Sequence, residues 1–161
     1  MENAEYSEWV PAGGLIKGSF AMVSLIVVIV TISLFVFNEG WRLEDILWVA
    51  FTWLILAVLL LVFWNYRGIR IQIKNETLYV DYGRFDKKSF LLDEIASCKK
   101  TKASFGRYLG AGVRYGFDGS LAYTISFGNA VEIAPKQGKI FVFSSNNPDK
   151  VCESINRQKG F

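Results

Sequence analysis

Between Lys17 and Glu39, and again between Asp45 and Arg67, the chain runs for 21 residues without a charged side chain. No other feature constrains the fold as strongly. A helix of that length spans roughly 31 Å, which matches a bilayer hydrocarbon core of about 30 Å. Both blocks are apolar on every face, whereas a helix packed on a soluble core carries one apolar stripe. They are read as two transmembrane helices, over about 18–38 and 46–66, and the short connection makes them an antiparallel hairpin. The leader, residues 1–17, carries Glu2, Glu5 and Glu8 where a signal peptide is basic, and no small-residue cleavage motif follows. The first block is therefore expected to stay on as an anchor.

Aromatic residues flank the blocks at interface depth: Phe35, Phe37 and Trp41 on one side, Phe63, Trp64 and Tyr66 on the other. The connecting loop offers one cation, Arg42, while Arg67, Arg70 and Lys74 crowd the exit of the second block. By the positive-inside rule the loop lies outside, and both termini lie in the cytoplasm at the inner membrane. Neither block holds an ionisable group of the kind transport or proton relays use, so anchoring and packing are the expected roles.

The formal charge of +3 conceals an asymmetry. Residues 1–66 hold two basic side chains against six acidic ones, and residues 67–161 hold sixteen against nine. A basic half attached to an anchor points to a membrane surface or an acidic partner. Histidine is absent, which removes the commonest general base and transition-metal ligand. The acids Asp81, Asp86, Asp93, Glu94, Asp118 and Glu132 are scattered, with no spacing that fixes a catalytic pair. No catalytic residue, metal ligand or cofactor is expected. Two cysteines, Cys98 and Cys152, are too few for a secreted disulfide framework, and both are expected as free thiols, Cys152 as a small core residue.

From residue 69 the pattern switches to strict alternation, with Ile69, Ile71 and Ile73 against Arg70, Gln72 and Lys74. Asn75-Glu76 suits a two-residue turn, and Leu78, Val80 and Tyr82 continue on a paired strand. Further strands are expected at 88–92, 95–102, 122–127, 130–134 and 139–144, seven in all. The glycine-rich stretch 103–119 reads as a long loop or distorted strand. A closing helix is expected at 147–158, with Asn147 as N-cap, Pro148 in the first turn, and Val151, Cys152 and Ile155 on its docking face.

Seven short strands closed by one helix resemble a pleckstrin-homology-like (PH-like) domain, and the residues are similar to the bacterial members found in small membrane proteins. Arg70-Ile71-Gln72-Ile73, Thr77-Leu78-Tyr79-Val80 and Phe90-Leu91-Leu92-Asp93-Glu94-Ile95 are similar to the opening strands. Ala130-Val131-Glu132-Ile133, Lys139-Ile140-Phe141-Val142-Phe143-Ser144, and Asn147-Pro148-Asp149 with Ile155-Asn156 are similar to the closing strands and helix. The likeness covers about 67–158. It implies a seven-stranded barrel or sandwich over 67–161, capped by the C-terminal helix, in a protein that is oligomeric or part of a larger membrane system.

The strongest candidate surface is basic. Arg67, Arg70, Lys99, Lys100, Lys102, Arg107 and Arg114 fall in a segment, 67–116, with eleven cations against five acids. Each cation near an anionic leaflet adds about 1 kcal/mol of attraction. Such a surface fits lipid headgroups or an acidic protein partner, and it is also what topology alone demands of a segment beside the inner leaflet. Nucleic acid is disfavoured, because the anchor holds the patch against the bilayer. Asn75-Glu76-Thr77 matches a glycosylation sequon that a cytoplasmic domain would leave unused. The expectation is a non-enzymatic, membrane-anchored interaction or assembly module, as a homo-oligomer or with a membrane-protein partner. The alternative is a small accessory subunit of a transport or enzyme complex, contacted through Ser24, Thr31, Ser33, Ala50 and Ala57.

Overall fold

The computed structural model describes residues 5–37, 40–108 and 110–159. Glu2, Asn38 and Glu39, used above in reading the leader and the hairpin connection, lie outside them, as does the side chain of Phe105. The chain divides into two compact units: a helical unit, 14–65, and a β unit made of the residues up to Gly13 together with those from Tyr66 onward.

The helical unit holds α1 (Gly14–Phe37) and α2 (Leu43–Asn65), both long and apolar enough to cross a membrane. Each begins before its uncharged block, so Lys17, Glu44 and Asp45 lie inside helix. The two acids occupy the first turn of α2, where the helix dipole favours them. Asp45 also accepts the backbone N–H of Arg42 at 3.0 Å, the reach-back half of a capping box. The hydroxyls of Ser24, Thr31 and Thr52 donate to the carbonyls of Phe20, Val27 and Trp48, which satisfies them without water. Trp53 Nε1 donates to Thr31 Oγ1 at 3.1 Å, and the rings of Phe20 and Phe63 lie 4.5 Å apart, joining the two helices. No residue of α1 is buried, and only Leu56 of α2 is.

The β unit begins with a strand that was not expected. The leader is no separate tail: β1 (Tyr6–Pro11) pairs antiparallel with β2 (Gly68–Lys74) along its whole length. Then come β3 (Thr77–Tyr82) and β4 (Asp86–Leu91), completing a four-stranded antiparallel sheet in the order β1-β2-β3-β4. Asn75 and Glu76 both take positive φ, 50° and 56°, which makes their turn type I′, the form whose twist suits a hairpin. The alternation does what it foretold: Ile69, Ile71, Ile73, Leu78 and Val80 are fully buried on one face, joined by Val10 from β1. A Cβ at Gly68 would land on the Trp9 indole, so the ring lies over this position only because it is glycine.

One 3₁₀ turn, Leu92–Glu94, leads to the second sheet. Its elements are β5 (Ile95–Ala103), a short α3 (Phe105–Tyr108), β6 (Gly112–Tyr115), β7 (Leu121–Thr124), β8 (Gly128–Pro135) and β9 (Phe141–Ser144). The strand order is β5-β8-β9-β7-β6, antiparallel except where β7 runs parallel to β9. Central β9 is buried on both faces, so its four residues show no alternation in exposure. Phe141 stacks toward Phe90 of the first sheet, 5.3 Å between centroids, while Val142 faces Tyr108, Ala122 and Ala130 on the other side.

Among the described residues there are thus nine strands in two open sheets, and neither closes into a barrel. Beside β1, the extra strand is β6, inside the glycine-rich stretch. Gly110 just before it and Gly112 at its first position take φ of 140° and 120°, a backbone that breaks any alternation visible in the sequence.

Helix α4 (Pro148–Gln158) closes the chain with Val151 and Ile155 buried. Asn147 occupies the N-cap position, but its side chain makes no capping bond, and its N–H donates to Ser145 Oγ at 3.1 Å. The free-thiol expectation is overturned: Cys98 on β5 and Cys152 on α4 form a disulfide, with Cα atoms 5.4 Å apart. Their separation of 54 residues gave no sign of this, because only the docking of α4 beside β5 brings them together.

Three contacts within the β unit fix where the chain leaves for the helices and returns. Ala12 N–H donates to Arg67 O at 2.8 Å, Gly13 N–H to Ile125 O at 3.2 Å, and Tyr66 Oη to Asp86 Oδ2 at 2.8 Å. The helical unit is thus inserted between two paired strands.

Candidate interaction surface

The register of the second sheet sorts the predicted cations by face. Lys99 lies opposite Glu132, Glu132 opposite Val142, Val142 beside Ala122, and Ala122 opposite Arg114. Lys99 and Arg114 therefore end one row across the sheet, about 19 Å apart at the usual strand spacing. Arg107, on α3, joins this face by reaching Glu132 at 3.1 Å and Asp118 at 2.6 Å. Lys100 and Lys102, one residue out of phase with Lys99, lie on the opposite face, where Lys100 pairs with Asp149 of α4 at 2.7 Å. Arg70 belongs to the first sheet and lies 6.0 Å from the Trp9 ring, across from Asp81, while Arg67 sits in the bend just before β2. The seven residues do not form one patch. Lys99, Arg107 and Arg114 share one face of the second sheet, with Lys99 and Arg114 on its two edge strands and the carboxylates of Asp118 and Glu132 on Arg107.

Those carboxylates belong to a network the sequence did not disclose. Asp118 accepts from Ser120 through both Oγ, at 2.6 Å, and backbone N–H, at 3.0 Å, and from Arg107. These bonds, the Ser120 hydroxyl foremost and Arg107 next, hold its carboxyl well below the usual carboxylate range. Buried Tyr108 shares a hydrogen bond of 3.2 Å with Ser120. The network pins α3 and the 116–120 turn over the sheet. Strand β5 is an edge, and a row of lysines on an edge also discourages pairing with a foreign strand.

Glu8 is the second unannounced polar centre. Its carboxylate accepts from Ser145 Oγ at 2.8 Å, from Asn146 N–H at 2.6 Å, and from Tyr6 Oη at 2.9 Å. It ties β1 to the loop that starts α4. A third cluster lies at the strand ends nearest Tyr66, where Tyr66, Tyr82, Asp86, Gly112 and Val113 line an open recess of about 280 Å³. Burial pushes the phenols of Tyr82 and Tyr123 up to about 12, and the bond to Asp86 raises that of Tyr66. A cleft of about 450 Å³ between the 3₁₀ turn and the end of α4 is lined by Glu76, Asp93, Lys136 and Lys159. Lys159 Nζ donates there to the Ile95 carbonyl. Burial and the nearby Lys136 depress its pKa. Among the described residues no three His, Cys, Asp or Glu side chains converge as a metal would require.

No family model, curated protein or solved structure matches the chain.

Proposed function

We propose that this protein is a membrane-anchored, non-enzymatic interaction or assembly module, in which a transmembrane hairpin holds a PH-like β unit at the inner leaflet. The observation that carries the reading is the way the apolar hairpin is set into the β unit. A pair of long apolar helices, with Leu56 their one buried residue, leaves and returns through hydrogen-bonded neighbours, Ala12 and Arg67. Because β1 and β2 are paired, both termini then lie on one side of the bilayer. The PH-like reading is supported by the opening hairpin and the closing helix, and the basic face by Lys99 and Arg114.

Carbonate washing of membranes tests the anchor: the protein should stay in the pellet, and release into the supernatant would end the reading. Mass measurement after gentle detergent extraction tests assembly. A homo-oligomer supports the module, and a fixed hetero-complex supports the accessory-subunit alternative.

One observation favours the opposite orientation. A disulfide persists in oxidising compartments and is rare in the cytosol, and Cys98–Cys152 sits in the β unit. The charge bias points inward. Protease added to intact cells or spheroplasts decides between them: an untouched β unit supports the inner leaflet, and its digestion places it outside.

A further inference from the structure

We propose that the end of the β unit bearing the 83–86 and 125–128 turns enters the lipid interface, with Phe85 and Phe127 among the acyl-chain ends and Arg67, Arg84 and Arg114 at headgroup phosphates. This rests on the membrane-anchored reading and specifies which surface of the β unit meets the bilayer.

Chain connectivity supplies the argument. Ile125 holds Gly13, the residue before α1 begins, and Asp86 holds Tyr66, the residue after α2 ends. Each turn thus lies beside a point where the chain passes into an apolar helix. The two points share one end of the unit: Tyr66, Asp86 and Gly112 line a common recess, and Gly112 pairs with Thr124, next to Ile125. At this end Phe85 is 80% exposed and Phe127 48% exposed. Cations accompany them. Arg84 precedes Phe85, Arg67 follows Tyr66, and the Arg114 side chain folds back toward Gly110 and Gly112. Aromatic rings set among cations are what an anionic interface selects. A lipid occupant is favoured over a protein because the chain passes from this end directly into both apolar helices in every copy.

The molecule carries its own control. Phe117 is 82% exposed, but it sits on the 116–120 turn, beyond the Tyr115–Leu121 pair. That is the other end of the β6–β7 hairpin, about 10 Å or more from Gly112 along the strand.

The test places p-benzoylphenylalanine singly at Phe85, Phe127, Phe117 and, within α2, Leu59 of the full chain. Each variant is reconstituted in phosphatidylcholine–phosphatidylglycerol vesicles whose acyl chains carry a clickable tag, then irradiated. Positions 85 and 127 should capture lipid about five-fold more than position 117. Equal capture at 85, 127 and 117, or capture of protein in place of lipid at 85, overturns the inference while lipid capture at Leu59 leaves the anchor standing. No lipid at Leu59 removes the anchor itself, and the inference with it.

Discussion

Helix α1 and strand β2 are built from nearly the same side chains and meet opposite fates. In α1 none of the valines, isoleucines and leucines is buried and most are exposed, whereas Ile69, Ile71 and Ile73 of β2 are completely buried. Hydrophobicity is common to both, so it does not decide burial. What decides it is whether apolar residues are segregated to one face. Alternation with Arg70, Gln72 and Lys74 gives β2 one face for a core and one for water. An uninterrupted run gives α1 no polar face at all, and none of its residues is buried. The comparison separates a core the chain makes for itself from two helices long and apolar enough to cross a membrane, whose surface stays uncovered.

The sharpest way to break this comparison is to cut the regions apart. A short linker of about four residues in place of 14–65 suffices to join Gly13 to Tyr66, since the flanking strands are already paired. That chain should be soluble and unfold cooperatively by circular dichroism. The fragment from Tyr66 onward should aggregate, because it loses β1, Val10 and Glu8 and uncovers the edge of β2. If both behave alike, β1 is no part of the unit.

Point substitutions sharpen the contrast. Ile71→Ala should destabilise the β unit by about 2–5 kcal/mol, the range for a fully buried isoleucine. Val28→Ala in α1 should leave β-unit stability within about 0.5 kcal/mol in the same denaturant titration. Reducing the Cys98–Cys152 disulfide should remove about 2–4 kcal/mol, seen as a lower Tm with reductant present. An unchanged Tm would mean that α4 docks without the link. Glu8→Ala leaves the Asn146 N–H and the Ser145 hydroxyl without their acceptor, a loss of about 1–3 kcal/mol by chemical denaturation. Smallest is Trp53→Phe, which deletes the bond to Thr31. Interhelical bonds in bilayers average about 0.6 kcal/mol, so the hairpin should unfold at only slightly lower detergent denaturant in vesicle-to-SDS titration.

Much of this architecture was legible because its determinants are local. The two helices follow from uncharged length, the β2–β3 hairpin from alternation around Asn75-Glu76, and α4 from Asn147-Pro148 and the spacing of Val151 and Ile155. Strand β1 escaped because six residues containing an inward-facing glutamate and ending in proline look like a solvated leader. Glu8 is tolerable there only because Ser145 and Asn146, from the far end of the chain, donate to it. Strand β6 escaped because glycines with positive φ just before it and at its first position, Gly110 and Gly112, hide its short run. The candidate surface was legible as a count of charges and not as a shape. Lys99 and Lys100 are neighbours in sequence, yet the pleat sends them to opposite faces, and Arg107 spends its charge on Asp118 and Glu132.

Period and hydropathy, which depend on neighbours a few residues away, determined by themselves that this chain has two bilayer-length helices and a β-rich unit ending in a helix. Only the tertiary structure decided that the first strand belongs to that unit, that Cys98 meets Cys152, and that the cations divide between faces. Each of those outcomes depends on residues tens of positions apart arriving at one place, and no local pattern encodes such a meeting.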